Sequence, residues 1–154
     1  MIRVQEEPFD IAAELRAVRG SNHKIGGTAL FAGSVRDLNL GEQVSAMTLE
    51  HYPGMTEKAL ADIEREANER WPLDASLIVH RYGRMQPGDD IVLVITCSSH
   101  REAAFEACQF LMDWLKTKAP FWKLEEGADA GNAKWVDARD SDDTAAKRWS
   151  KAKK

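Results

Sequence analysis

Five consecutive apolar residues, Ile91-Val92-Leu93-Val94-Ile95, constrain the fold of this chain more than any other feature. Successive side chains of a strand point to opposite faces, so this run is apolar on both and needs cover on both. It predicts a central strand over Asp90–Ser98. The segment Gln86-Pro87-Gly88-Asp89 before it is a turn signal, and Ala75–Gly83 reads as the strand on the far side of that turn. Directly after the run, Ser99–Lys118 reads as the strongest helix. Ser99 with Glu102 three residues on forms the pattern of a capping box, and Pro120 stops the helix.

The remaining elements follow from periodicity and breakers. Asp10–Arg19 predicts a short helix with Ile11, Leu15 and Val18 on one face and Gly20 beyond its end. Gly27–Val35 alternates as a strand, Asp37–Gly41 reads as a turn, and Val44–His51 as a second strand. Thr56–Trp71 carries the helical stripe Ala59, Leu60, Ile63 and Ala67 and ends at Pro72. Two short strands are expected around Trp122–Glu125 and Lys134–Ala138, joined by a loop over Gly127–Asn132. Hairpins alternating with single helices predict an α+β fold, an antiparallel sheet with packed helices. A length of 154 residues predicts one domain, 1–154, with 1–20 and 150–154 peripheral.

Composition narrows the function. No apolar run approaches the roughly 18 residues of a membrane span, and the first residues lack the apolar stretch of a secretory signal, so a soluble, cytoplasmic protein is expected. With 21 basic and 25 acidic residues the formal net charge is −4, which argues against a general nucleic-acid binder. Lys147, Arg148, Lys151, Lys153 and Lys154 make a basic tail that reads as a solvated, frayed end. Cys97 and Cys108 lie in apolar runs and read as buried thiols. His23, His51, His80 and His100 lack zinc-site spacing, so no metal is expected. Four of the five tryptophans fit core positions equally well.

Chemistry gathers in two places. At about 100° per residue, Ala104, Phe105, Cys108, Leu111, Met112 and Leu115 share one stripe, and Arg101 falls near its middle with Lys116 at its edge. An inward arginine at a helix start needs a partner, and two readings stand: a pair with Glu50 or an aspartate, or an anion site helped by His100 and the free N–H groups of the first turn. Lys116 and Lys123 bracket Pro120-Phe121-Trp122. The turn at Pro120 lets both amines converge on one pocket, where lost solvation would lower a lysine pKa; the alternative is two snorkelling surface lysines. Arg36, closing a strand, suits phosphate or stands as a surface residue.

The chain resembles the large, catalytic subunit family of molybdopterin synthase. The resemblance rests on Phe31-Ala32-Gly33-Ser34-Val35-Arg36, Leu49-Glu50-His51-Tyr52-Pro53-Gly54-Met55, His80-Arg81-Tyr82-Gly83 and Pro87-Gly88-Asp89. It continues through Ser99-His100-Arg101, Lys116-Thr117-Lys118-Ala119-Pro120-Phe121-Trp122-Lys123 and Trp135, in order, from Gly27 to Trp149. It implies an α/β hammerhead with a small additional antiparallel sheet. It also implies a sulfurtransferase that converts cyclic pyranopterin monophosphate into molybdopterin. The sulfur would come from the C-terminal glycine thiocarboxylate of a small ubiquitin-like subunit, in a heterotetramer built on a central homodimer. By position, Lys116 and Lys123 correspond to catalytic lysines. Arg36, His100 and Arg101 correspond to substrate-binding residues, with Ser34, Val35, Leu124 and Glu125 beside them. The family often has a basic residue where Leu124 stands. No cofactor, nucleic acid or membrane is implied; a phosphate- or nucleotide-binding module without catalysis is the alternative.

Helix geometry adds one expectation. Arg101 and Lys116 are fifteen residues apart, about 22 Å along one helix at roughly 1.5 Å per residue. If both serve one small substrate they must come from different chains, which predicts a homodimer with composite pockets.

Overall fold

In the computed structural model, residues 1–39, 41–127, 133–136 and 140–150 are described. The elements are β1 (Ile2–Gln5), α1 (Ile11–Arg19), β2 (Gly27–Ser34), β3 (Leu38–Asn39), β4 (Glu42–His51), α2 (Met55–Arg70), β5 (Leu73–Arg81), β6 (Gly83–Met85), β7 (Asp90–Ser98), α3 (Arg101–Lys118), β8 (Phe121–Gly127), β9 (Ala133–Val136) and α4 (Asp140–Lys147). The fold is α+β. One sheet runs β1-β5-β7-β2, and a second runs β3-β4-β8-β9 with β6 also on β4.

The apolar run sits where its composition requires. β7 pairs antiparallel with β2 on one edge and β5 on the other. Val92 and Val94 pack with Leu60, Ile63, Phe110 and Leu111 of α2 and α3. Leu93, Ile95 and Cys97 pack on the opposite face with Ile11, Leu15 and Val18 of α1. Asp10 caps α1, its carboxylate accepting from the Ala13 N–H at 2.9 Å.

The structure departs from the sequence-based expectations at several points. The added strand β1 pairs parallel with β5, Ile2 opposite Ile78, so its partner is distant in sequence. The N-cap of α3 is His100, with no side-chain cap, so Ser99 and Glu102 form no capping box. The chain forms a further helix, α4, and the basic tail is not frayed as far as Ser150. The Trp149 indole N–H donates to Asp113 at 2.6 Å, the Trp149 carbonyl accepts from Arg70 at 2.9 Å, and its ring meets Trp71 and Phe110, each at 5.6 Å. Finally, Trp122 and Trp135 are 44% and 57% exposed, so the tryptophans are less of a core than composition suggested. The loop expected over Gly127–Asn132, from residue 128, and the end of the strand expected at Ala138 lie outside the described residues.

The docking of α3 turns the buried arc away from the expected stripe. Ala107 and Phe110 are buried with Ala104, Cys108, Leu111 and Leu115, because Phe110 faces Trp71 and Trp149. Phe105 is 65% exposed, and Arg101 is exposed rather than inward.

Close packing where β2 begins fixes the start of α3. A Cβ on Gly26 would lie 2.2 Å from the Ser99 carbonyl oxygen, and one on Gly27 would lie 3.0 Å from Arg101 Cα. Backbone cannot yield as a side chain can. Gly26→Ala is therefore expected to cost about 1–3 kcal/mol, measured by calorimetry as a Tm several degrees lower.

Candidate active site

A cavity of about 580 Å³ opens between the two sheets, where the end of β2, the last turn of α3 and β8 meet. Three cations line it: Arg36 from the loop after β2, Lys116 from α3 and Lys123 from β8. The end of β2 is held by the turn that leads into β7. Ser34 Oγ donates to Asp90 Oδ1 at 2.8 Å, Val35 N–H donates to the Asp89 carbonyl at 2.9 Å, and Gly88 N–H donates to the Val35 carbonyl at 2.8 Å. A register shift between Gly33 and Ser34 releases the chain toward Arg36.

Lys116 lies in the last turn of α3 and reaches the cavity while remaining exposed. The desolvation expected of it is therefore absent. Lys118 is committed elsewhere, its ammonium 4.2 Å from the Trp114 ring centroid. The chain then reverses at Pro120, whose carbonyl accepts from Thr56 Oγ1 at 3.1 Å. Along β8, Phe121, Lys123 and Glu125 line the cavity, while Trp122 and Leu124 alternate to the other face. Pairing of Lys123 with Leu49 and of Phe121 with His51 fixes that register.

One cavity residue is titratable but held neutral. His80, on β5, is 5% exposed and stacks on Phe121 with ring centroids 3.7 Å apart and planes 16° from parallel. Its Nδ1 lies 2.8 Å from the Arg81 carbonyl, an acceptor only, so Nδ1 carries the hydrogen. Burial first, then the charges of Lys116 and Lys123, drive its pKa down to about 3.

The sequence profile described as MoaE protein matches residues 4–118. Over 148 residues the chain is 54% identical to the molybdopterin synthase catalytic subunit of Pseudomonas aeruginosa, covering 96% of this chain and 97% of that protein. The chain belongs to the MoaE family. Among solved structures, the MoaE protein of Burkholderia ambifaria aligns at a TM-score of 0.82 and 53% identity over 99% of both chains. Molybdopterin synthase from Staphylococcus aureus aligns at 0.80 and 32% identity, over 88% of this chain and 96% of that one.

In this MoaE chain the cavity gathers Ser34, Val35, Arg36, Lys116, Lys123 and Glu125. His100 and Arg101 are exposed at the opposite end of α3 and do not line it. Arg101 makes no ion pair among the described residues, so the pairing with Glu50 or an aspartate is not what the fold uses. Leu124 spaces Lys123 from Glu125 without facing the cavity. Sequence reasoning missed Phe31, Asn39, His80 and Asp142, all of which line it. Only His80 carried a signal, a lone imidazole directly after the apolar run Leu77-Ile78-Val79. Among the described residues no group of three or more His, Cys, Asp or Glu is placed to hold a metal ion. Cys97 and Cys108 are buried, and burial pushes the Cys108 thiol up to about 11.

The neutral His80 links stability to pH. Folded, it takes a proton only near pH 3; unfolded, it does so near 6.5. Between those values the unfolded chain binds more protons, so the contribution is complete above 6.5 and lost progressively as pH falls toward 3. His80→Phe should keep the stack on Phe121 yet flatten the dependence of unfolding free energy on pH. Denaturant titrations between about pH 6 and 4 should give a wild-type slope steeper by up to about 1.4 kcal/mol per pH unit.

Proposed function

We propose that this chain is the catalytic subunit of molybdopterin synthase, moving sulfur from the C-terminal thiocarboxylate of a small ubiquitin-like subunit onto cyclic pyranopterin monophosphate. The observation that carries the reading is the convergence of Arg36, Lys116 and Lys123 on one cavity. Donor and acceptor in this reaction are both anions, and bringing them together needs cations fixed in advance. The MoaE family membership and the 54% identity to a named catalytic subunit support the same reading.

Each side chain has a place in it. Lys116, exposed at the rim, contacts the entering thiocarboxylate and assists acyl transfer or proton movement. Lys123, half-buried on the cavity wall, holds the charge that gathers on the reacting groups. Arg36 binds the substrate phosphate at the end of β2, with Ser34 and Val35 shaping the wall. Leu124 keeps Lys123 and Glu125 on one face of β8. His100 and Arg101 complete the pocket of a second copy, in a homodimer that carries one small subunit at each end. The chain acts in that assembly as one domain. The chemistry calls for no metal or other cofactor.

Two experiments test this. With thiocarboxylated small subunit and cyclic pterin supplied, Lys116→Ala should keep its fold and lose turnover by on the order of 10²–10⁴-fold; near-normal product formation removes the assignment. For the shared pocket, inactive Arg101→Ala and Lys116→Ala proteins are mixed under subunit exchange. A composite site regains activity, because one pocket of each mixed dimer is undamaged. Absence of recovery despite verified exchange rules the composite pocket out.

A further inference from the structure

We infer that Asn39 is a positioning residue of the anion site, its side-chain amide bridging Arg36 and Glu125 so that the guanidinium is held at the cavity wall. Arg36 Nη2 donates to Asn39 Oδ1 at 3.4 Å, and Asn39 Nδ2 donates to Glu125 Oε1 at 2.8 Å. All three residues line the cavity. Chemistry dictates the direction of both bonds. A guanidinium only donates and a carboxylate only accepts, so the group between them must accept at one end and donate at the other. An amide does this from two different atoms and brings no charge of its own.

The backbone supports the bridge. Asn39 ends the two-residue strand β3 and pairs with Glu42 of β4. The Val44 N–H donates to the Asp37 carbonyl at 2.8 Å and closes the hairpin. The short side chain is thus carried on a strand whose two residues are both paired with β4, and it reaches β8, where Glu125 pairs with Met47 of that same β4. Arg36 lies in the loop just after β2 and is exposed. An exposed arginine loses rotamer freedom when it grips a ligand, and a bridge that restricts it beforehand reduces that loss. Direct pairing with Glu125 would restrict it too, but would oppose the guanidinium with a carboxylate where the anion must bind.

The inference rests on the proposed anion-binding role of Arg36, so its test has one readout that needs no sulfur transfer. Asn39→Asp sets two carboxylates against each other. The glutamine of Glu125→Gln can turn either amide atom toward position 39, and so completes the bridge with the native asparagine or with the aspartate. In the wild-type background Asn39→Asp should raise KM for the cyclic pterin in the assembled enzyme by about tenfold or more, with kcat changed less than about threefold. The Kd of inorganic phosphate for the large subunit, measured by calorimetry, should rise in parallel. In the Glu125→Gln background the same substitution should cost clearly less, about threefold, the remainder being the carboxylate it still places against the guanidinium. An equal loss in both backgrounds, or no loss in either, overturns the bridge. If Asn39→Asp fails to fold, Asn39→Ala removes both bonds without adding charge, and an unchanged KM and phosphate Kd would overturn it as well. Background-dependent phosphate binding without any wild-type turnover sinks the sulfur-transfer reading and leaves the bridge standing. Normal turnover with background-independent phosphate binding sinks the bridge alone.

Discussion

Everything else in this structure depends on β7 being covered on both faces and paired on both edges. Its aliphatic side chains each contribute on the order of 1.5–3 kcal/mol when fully buried, and Val92, Leu93, Val94 and Ile95 are all buried. Polar groups then lock the end of the strand. Thr96 Oγ1 donates to the Ala104 carbonyl at 2.6 Å, and Ser98 Oγ donates to the Pro72 carbonyl at 2.7 Å. The first bond ties α3 to the strand, and the second ties in the turn that leaves α2. Lys116 lies farther along the same helix, beside the buried Leu115, so these anchors and the packing of α3 together set its position.

Much of this was legible in the sequence, and the exceptions have physical causes. The limits of β7, Asp90–Ser98, follow from the apolar run and the turn before it. α1 follows from Asp10 and a three-residue apolar face. By contrast, α4 is a short polar segment with no decisive stripe, and the docking of Trp149 against Trp71 and Phe110 anchors the chain that follows it. That contact also explains the misplacement of Arg101. Periodicity gives the spacing of a buried arc, whereas its centre depends on what packs against the helix. β1 is four residues long and gains its place from a partner more than seventy residues away.

The site itself was half visible. Lys116, Lys123 and Arg36 could be read as cations near breakers, because Pro120 and the turn after β2 are local signals. His80 and Asn39 could not be assigned a wall, since that depends on which strands adjoin. The resulting cavity has an uneven character. One side carries cations, another carries an imidazole that burial keeps uncharged, and Glu125 supplies a carboxylate tied through an amide. Such a site concentrates positive potential without packing every wall with charge, which limits the self-repulsion an empty pocket must bear.

The alternation along β8 has a consequence for how this segment can change over generations. Phe121, Lys123 and Glu125 serve the cavity, while Trp122 and Leu124 serve the other surface. Losing or gaining one codon between them would exchange the two sets downstream, placing an indole or an isobutyl group where an amine belongs. Point replacement alters one surface at a time; a shift in length alters both at once. A change of length within this strand would therefore cost the cavity and the outer surface together, where a substitution costs only one of them.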